Sequence, residues 1–193
     1  MPLTRIIDDQ KIKKTIELVV YIASKLNDKP NYGSTLLGKA LYFIDSVNYL
    51  KTGKPITELT YIKQEKGPTP NPNKFLSIRD ALVANGDLEK IEMDYFGRTQ
   101  QKFIAKREPN INVFTKEEIF LIDGVLESIC DHNATEISEL SHLFLAWNIA
   151  ENKEELPFHS FLLDIEDPTD KDLEWANKEI KLFKKSGKKY SSG

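Results

Sequence analysis

Hydrophobic residues recur at helical spacing in two stretches of the N-terminal part of the chain. Apolar positions from Ile12 to Leu26 share one face, with lysines and a glutamate on the other, which predicts an amphipathic helix that ends near residues 27–30. The next stretch predicts a second helix, capped at its start by Ser34 or Thr35 and ended by Gly53. Its apolar stripe consists of Leu37, Ala40, Leu41, Ile44, Val47 and Leu50, and Tyr42, Phe43, Asp45 and Tyr49 lie to the sides of that stripe.

The pattern then changes to short extended segments. Residues 57–64 are rich in β-branched and aromatic side chains, which favours a short strand. Pro68, Pro70 and Pro72 follow, and each proline fixes its own φ and restricts the residue before it. We therefore expect an extended, rigid corner in place of regular helix.

A helix and a β-hairpin are predicted after this corner. Apolar residues keep helical spacing over residues 73–85, and Asn-Gly-Asp ends that run. Residues 88–95 and 101–106 then read as two strands joined by a turn at residues 96–99.

The second half of the chain carries strong helix signals. Thr115 and Glu118 have the spacing of a capping box, and the apolar stripe behind them consists of Ile119, Ile122, Val125, Leu126 and Ile129. A further helix is predicted from about Thr135, with one face formed by Ile137, Leu140, Phe144 and Trp147. Thr169 and Asp172 predict the start of a last helix, whose stripe is Leu173, Ala176, Ile180 and Phe183.

These elements predict an α+β fold: a predominantly helical single domain with a small β-hairpin or short sheet and a C-terminal helix. We place the domain at residues 1–165. Residues 166–193 are expected to form a helical extension with a lysine-rich, flexible tail.

The composition indicates where the protein works more clearly than what it does. The chain has 193 residues, a formal net charge of -3 and a single cysteine, Cys130. One cysteine excludes an internal disulfide and fits a reducing cytoplasm, and the N-terminus lacks the apolar core of a signal peptide. No apolar run approaches the roughly 20 residues that cross a bilayer, so we expect no membrane association. The mildly acidic balance makes nucleic acid an unlikely partner.

The residues with reactive side chains do not form a recognisable catalytic or metal motif. The three histidines and Cys130 match no zinc spacing. Ser141 and His142, with an aspartate, could imitate a triad, but no nucleophile elbow surrounds Ser141. We interpret both as hydrogen-bonding residues that satisfy backbone groups or the polar corner around Gly67. No cofactor, metal or enzymatic activity is expected.

Two blocks of sequence carry a resemblance to a known family. The first block is formed by GKALYFID at 38–45, YLKTGKPIT at 49–57, TYIK at 60–63 and GPTP at 67–70, and the second by ATEISELSH at 134–142 with AWN at 146–148. In this order, over residues 10–163, the chain resembles the Panacea domain of the SocA-like antitoxin family. Two positions depart from the usual pattern: Lys66 replaces a tyrosine before the Gly-Pro, and Ala146 replaces a proline before the tryptophan.

The resemblance implies a small bacterial or prophage protein, active in toxin–antitoxin or phage-defence systems, that binds and neutralises a cognate protein toxin. Two alternatives stay open: an adaptor that delivers a toxin to a protease, and a DNA-binding autorepressor of its own operon. The candidate partner-binding residues are Tyr42, Phe43, Asp45, Lys66, Gly67, Pro68, Pro70, Ser141, His142 and Trp147. Aromatic side chains and pre-organised loops are common contributors to interfaces, which favours this set.

Overall fold

Six α-helices and two pairs of antiparallel strands make up residues 10–164, the part of the chain that the computed structural model describes. In chain order they are α1 (Gln10–Leu26), α2 (Ser34–Thr52), β1 (Tyr61–Ile62), β2 (Thr69–Pro70), α3 (Pro72–Ala84), β3 (Leu88–Tyr95), β4 (Arg98–Ala105), α4 (Lys116–Ile129), α5 (Ala134–His142) and α6 (Leu145–Ile149). Two 3-10 helices, Ile111–Val113 and Phe158–Asp164, complete the order. The predicted α+β, mostly helical fold class is confirmed.

Helix α2 is the central element of the core. It contacts α1, α4, α5, β2, β4 and the second 3-10 helix, so residues on every side of it are buried. The predicted single stripe is therefore too narrow, because Tyr42, Phe43 and Asp45 are buried as well. The predicted N-cap, Ser34 or Thr35, is also wrong. Gly33 occupies the N-cap position and, having no side chain, forms no capping hydrogen bond. Gly53, with φ of 73°, ends the helix as predicted.

The hairpin of β3 and β4 is confirmed, with a tighter turn than expected. The strands pair from Leu88 opposite Ala105 to Tyr95 opposite Arg98, which leaves Phe96 and Gly97 as a two-residue turn. Their φ angles are 52° and 74°, as a turn that matches the twist of its strands requires. The second strand therefore begins at Arg98, three residues before the predicted start.

The short strand predicted at residues 57–64 is reduced to β1. It pairs with β2, so that Tyr61 lies opposite Pro70 and Ile62 opposite Thr69. Pro68 lies in the corner between them and Pro70 lies in β2. Pro72 occupies the first turn of α3, where its missing N–H costs no helical hydrogen bond.

Helices α4 and α5 both begin with a capping box. Thr115 and Glu118 form the predicted one. Asn133 and Glu136 form a second box, which the sequence analysis missed. A capping box satisfies two backbone N–H groups that the first helical turn leaves without partners, so both helix starts are fixed locally.

The helix predicted from Thr135 through Trp147 is broken in two. Phe144 has extended backbone angles, φ of -69° and ψ of 127°, and its ring turns inward to pack 5.9 Å from Tyr42 and 5.5 Å from Phe161. The side-chain amide of Asn148 donates hydrogen bonds to the carbonyl oxygens of His142 (2.9 Å) and Phe144 (3.2 Å) at the break. These hydrogen bonds satisfy carbonyl oxygens that the interrupted helix leaves without helical partners. Burial of the Phe144 ring also favours the break.

Several expectations concern residues outside the described range. The C-terminal helix that begins at Thr169, the lysine-rich tail and the boundary near residue 165 all lie there. Within residues 10–164, no helix has both the length and the hydropathy needed to cross a bilayer.

Candidate partner-binding site

The corner that connects β1 to β2 packs against α2 and α5 through Gly67. The φ angle of Gly67 is +91°, in the region that favours glycine. A Cβ atom built on Gly67 would lie 2.2 Å from Ser141 Oγ and 2.5 Å from Lys39 Nζ. Position 67 therefore has neither the backbone conformation nor the space for a side chain. Glycine allows the two sequence blocks to meet here.

Lys39 is a buried cation beneath this corner. The residue is 2% exposed, and its Nζ donates a 2.7 Å hydrogen bond to the carbonyl oxygen of Pro68. Burial lowers the pKa of Lys39 from 10.5 to about 7, because the charged form loses its hydration. Lys39 is not among the site residues predicted from the sequence. A signal was present, since Lys39 is the single charge within residues 34–44.

Trp147 connects α6 to the same corner. Its ring stacks on the His142 ring with centroids 3.8 Å apart, and its Nε1 donates a 3.1 Å hydrogen bond to the carbonyl oxygen of Gln64. Lys63 Nζ lies 4.6 Å from the centre of the Trp147 ring, at cation–π distance. Burial, followed by the charge of Lys39, lowers the pKa of His142, whose Nε2 is buried without a hydrogen-bond partner in the described part of the chain. Both rings are half-buried.

Asp45 belongs to a different structural unit. It is fully buried and accepts hydrogen bonds from the backbone N–H groups of Ile56 and Thr57 (both 2.8 Å), from Thr57 Oγ1 and from the hydroxyl of Tyr61 (2.7 Å). Burial raises the pKa of Asp45 from 3.8 to about 6, while these four hydrogen bonds act in the opposite direction. The carboxylate holds the segment after Gly53 against α2.

Tyr42 and Phe43 lie in an aromatic cluster of the core. The Tyr42 ring is 5.5 Å from Phe43, 5.2 Å from Tyr61, 5.9 Å from Phe144 and 5.4 Å from Phe161. Edge-to-face pairs at such distances stabilise a core beyond simple burial. This cluster joins α2, β1 and both segments that flank α6.

The structure therefore divides the candidate residues into two groups. The corner brings Lys66, Gly67, Pro68 and Pro70 together with Ser141, His142 and Trp147, whereas Asp45, Tyr42 and Phe43 lie in the core. Lys66, His142 and Trp147 are at least partly exposed to solvent, and the other seven candidate residues are buried. Buried residues support a surface without forming it, and direct contact with a partner stays a prediction for all ten.

A family model described as "Antitoxin SocA-like, Panacea domain" matches residues 37–148. This match covers more than half of the chain and spans most of α2 through to α6. The chain belongs to the SocA-like antitoxin family, Panacea domain. Neither a curated protein nor a solved structure matches it. The resemblance read from the two sequence blocks is confirmed, and the corner at Gly67 lies where these two blocks of the Panacea domain pack together.

The two departures from the Panacea pattern lie in different environments. Lys66 is exposed at the tip of the corner. Ala146 is buried, but it lies in the first turn of α6, where proline and alanine are both tolerated because the backbone N–H has no helical partner.

The Panacea domain exposes large apolar side chains around α5 and α6. Leu143 is 75% exposed and Ile149 is 67% exposed, and Leu140 and Leu145 are partly exposed. We call these four residues the apolar ridge. The ridge was not predicted from the sequence, because the apolar spacing indicated one continuous helix. The break at Phe144 turns that ring inward and leaves its neighbours, Leu143 and Leu145, facing solvent. Four large apolar side chains exposed within ten consecutive residues mark a candidate interaction surface.

The polar side chains of the corner have a structural role. Ser141 is fully buried, and its hydroxyl donates a 2.7 Å hydrogen bond to the carbonyl oxygen of Ser138, so it is not presented as a nucleophile. Within residues 10–164, no three histidine, cysteine, aspartate or glutamate side chains are grouped as metal ligands.

Proposed function

We propose that this protein is an antitoxin that neutralises a cognate protein toxin by direct binding in the bacterial cytoplasm, without catalysis. Membership of the SocA-like antitoxin family carries the proposal. The toxin is expected to contact the apolar ridge, with the stack of His142 and Trp147 and the exposed Lys66 at its edge.

The internal contacts of the corner support this assignment. Gly67, Lys39 and Trp147 fix the corner to α2, α5 and α6 before any partner arrives. A surface that is already ordered loses little conformational entropy on binding, so more of the contact energy appears as affinity.

The composition of the surface supports it as well. Leu143 and Ile149 offer apolar area, and Trp147 is partly exposed. Interfaces commonly concentrate their affinity in a few such apolar and aromatic residues, surrounded by polar ones. Lys63 and Lys66 supply positive charge at the edge of this surface.

Co-expression with the product of the adjacent gene tests the function. The neighbour alone should arrest growth, and this protein should restore growth and co-purify with the neighbour. A neighbour that is harmless, or that stays toxic beside this protein, would contradict the proposal. Loss of the neighbour from the cell in place of a stable complex would favour the adaptor alternative.

Two surface variants locate the contact. Leu143→Asp should abolish growth rescue because it places a charge on the most exposed residue of the ridge. Phe96→Asp is the matched control, since Phe96 is 90% exposed on the hairpin turn. Equal rescue by both variants would place the toxin elsewhere on the domain.

A further inference from the structure

The apolar ridge borders an acidic groove between the end of α4 and α5. The groove has a volume of about 570 Å³, and the residues that line it are Asp131, His132, Glu136, Glu139, Leu140 and Leu143. Glu136 and Glu139 are three positions apart on α5, as are Leu140 and Leu143 across its end. The groove therefore presents a pair of carboxylates beside a pair of leucines.

Only one of the three carboxylates that line the groove forms an ion pair within the described chain. Asp131 forms an exposed ion pair with Lys29 at 2.6 Å, and the Glu136 carboxylate accepts a 2.8 Å hydrogen bond from the backbone N–H of Asn133. Glu139 has no ion pair with any described residue. An occupant with both apolar and positively charged side chains fits this surface.

We propose that this occupant is the C-terminal segment of the same chain, residues 173–184. The segment lies outside the described residues, but its sequence has the complementary pattern. Ile180 and Phe183 repeat the three-residue spacing of Leu140 and Leu143, and Lys181 and Lys184 repeat that of Glu136 and Glu139. As a helix, this segment would place its lysines beside its apolar stripe, because residues three and four apart share a face.

The described chain ends close enough to the groove for this segment to reach it. The second 3-10 helix, Phe158–Asp164, packs against α6, and the Phe161 ring lies 5.5 Å from that of Phe144, next to Leu143 in the chain. Eight residues lie between Asp164 and Leu173, which makes nine steps along the chain. At roughly 3.3 Å per extended residue this linker spans up to about 30 Å, enough to reach either end of α5, which is about 13 Å long. A tethered segment also acts at an effective concentration near the millimolar range, so a weak contact suffices.

Occupation of the groove would have a functional consequence if the proposed function is correct. The C-terminal segment and the toxin would then share Leu143, so the segment would compete with the toxin and lower its apparent affinity. Docking of the segment itself does not depend on that function, and it can be tested on the chain alone.

Disulfide trapping in the full-length chain tests the docking. In a Cys130→Ser background, Leu143→Cys is combined with Ile180→Cys, and the control pair combines Phe96→Cys with the same Ile180→Cys. The chain is oxidised with copper phenanthroline at low micromolar concentration, and intrachain bonds are followed by non-reducing electrophoresis and mass spectrometry. We expect the Leu143 pair to form its bond about tenfold or more faster than the control pair, because docking raises the effective concentration of the two thiols.

Charge matching provides the second arm. Lys184→Glu should slow trapping of the Leu143 pair, and adding Glu139→Lys should restore it. Equal rates for the Leu143 and Phe96 pairs overturn the proposal. Bonds between chains overturn it too, because they identify a second copy as the occupant. If Lys184→Glu leaves the trapping rate of the Leu143 pair unchanged, the electrostatic basis of the proposal is wrong.

Discussion

Replacing Gly67 with alanine is the sharpest test of how the corner is built. The new Cβ would approach Ser141 Oγ to 2.2 Å and Lys39 Nζ to 2.5 Å. Relieving these overlaps costs about 1–3 kcal/mol by analogy with overpacked cores. A positive φ adds about 1–2 kcal/mol for a residue with a side chain. Displacing Lys39 from the Pro68 carbonyl costs a further 1–2 kcal/mol or so. The sum is a loss of about 3–7 kcal/mol in the free energy of unfolding.

Gly53→Ala is the matched control for this substitution. Gly53 has a φ of +73°, but nothing lies within 4 Å of a Cβ built there. This variant therefore carries the backbone cost alone, about 1–2 kcal/mol. Urea denaturation followed by circular dichroism gives both free energies from the transition midpoints at constant slope. If both variants lose the same stability, the corner has room for a side chain and the proposed close packing at Gly67 is wrong.

Three further predictions concern the buried polar groups and a cap. Asp45→Ala should lower the free energy of unfolding by about 3–5 kcal/mol, and Asp45→Asn by less, because the amide still accepts hydrogen bonds from the backbone donors; equal losses in urea denaturation would contradict this. Lys39 binds a proton less readily when folded, so between pH 7 and 10 the unfolded chain holds more protons and stability should rise with pH. The rise is about 3–4 kcal/mol at most, and it should be absent in Lys39→Met. Asn133→Ala should cost about 1 kcal/mol as a lost cap, whereas the nearby exposed Thr135→Ala should cost little.

Features fixed by a few neighbouring residues are the ones that the sequence predicts well. The capping box at Thr115 and Glu118 depends on contacts three residues apart, and the β3–β4 hairpin depends on a short turn between two alternating runs. The box at Asn133 and Glu136 obeys the same local rule and was available in the sequence.

Features that depend on distant contacts are the ones that periodicity misses. α2 is buried on all sides because α1, α4, α5 and the 3-10 helix after α6 pack around it, and one stripe of apolar residues cannot indicate that. The break at Phe144 depends on Tyr42 and Phe161, which lie far away in sequence.

The candidate site shows the same division. The two sequence blocks predicted that Lys66 to Pro70 and Ser141 to Trp147 belong together, and the packing at Gly67 brings them into contact. Burial of Asp45 and exposure of Leu143 could not be predicted, because both depend on the tertiary arrangement around α2 and on the break between α5 and α6.

Binding of the toxin at the apolar ridge is the step on which the proposed function depends. Its most direct test is the dissociation constant between this purified protein and the purified product of the adjacent gene, measured for the parent chain, Leu143→Asp and Phe96→Asp. We expect a stable complex with the parent, about tenfold or more weakening by Leu143→Asp, equivalent to about 1.4 kcal/mol or more, and no change with Phe96→Asp. No complex with the parent, or equal affinity for all three chains, would contradict the account.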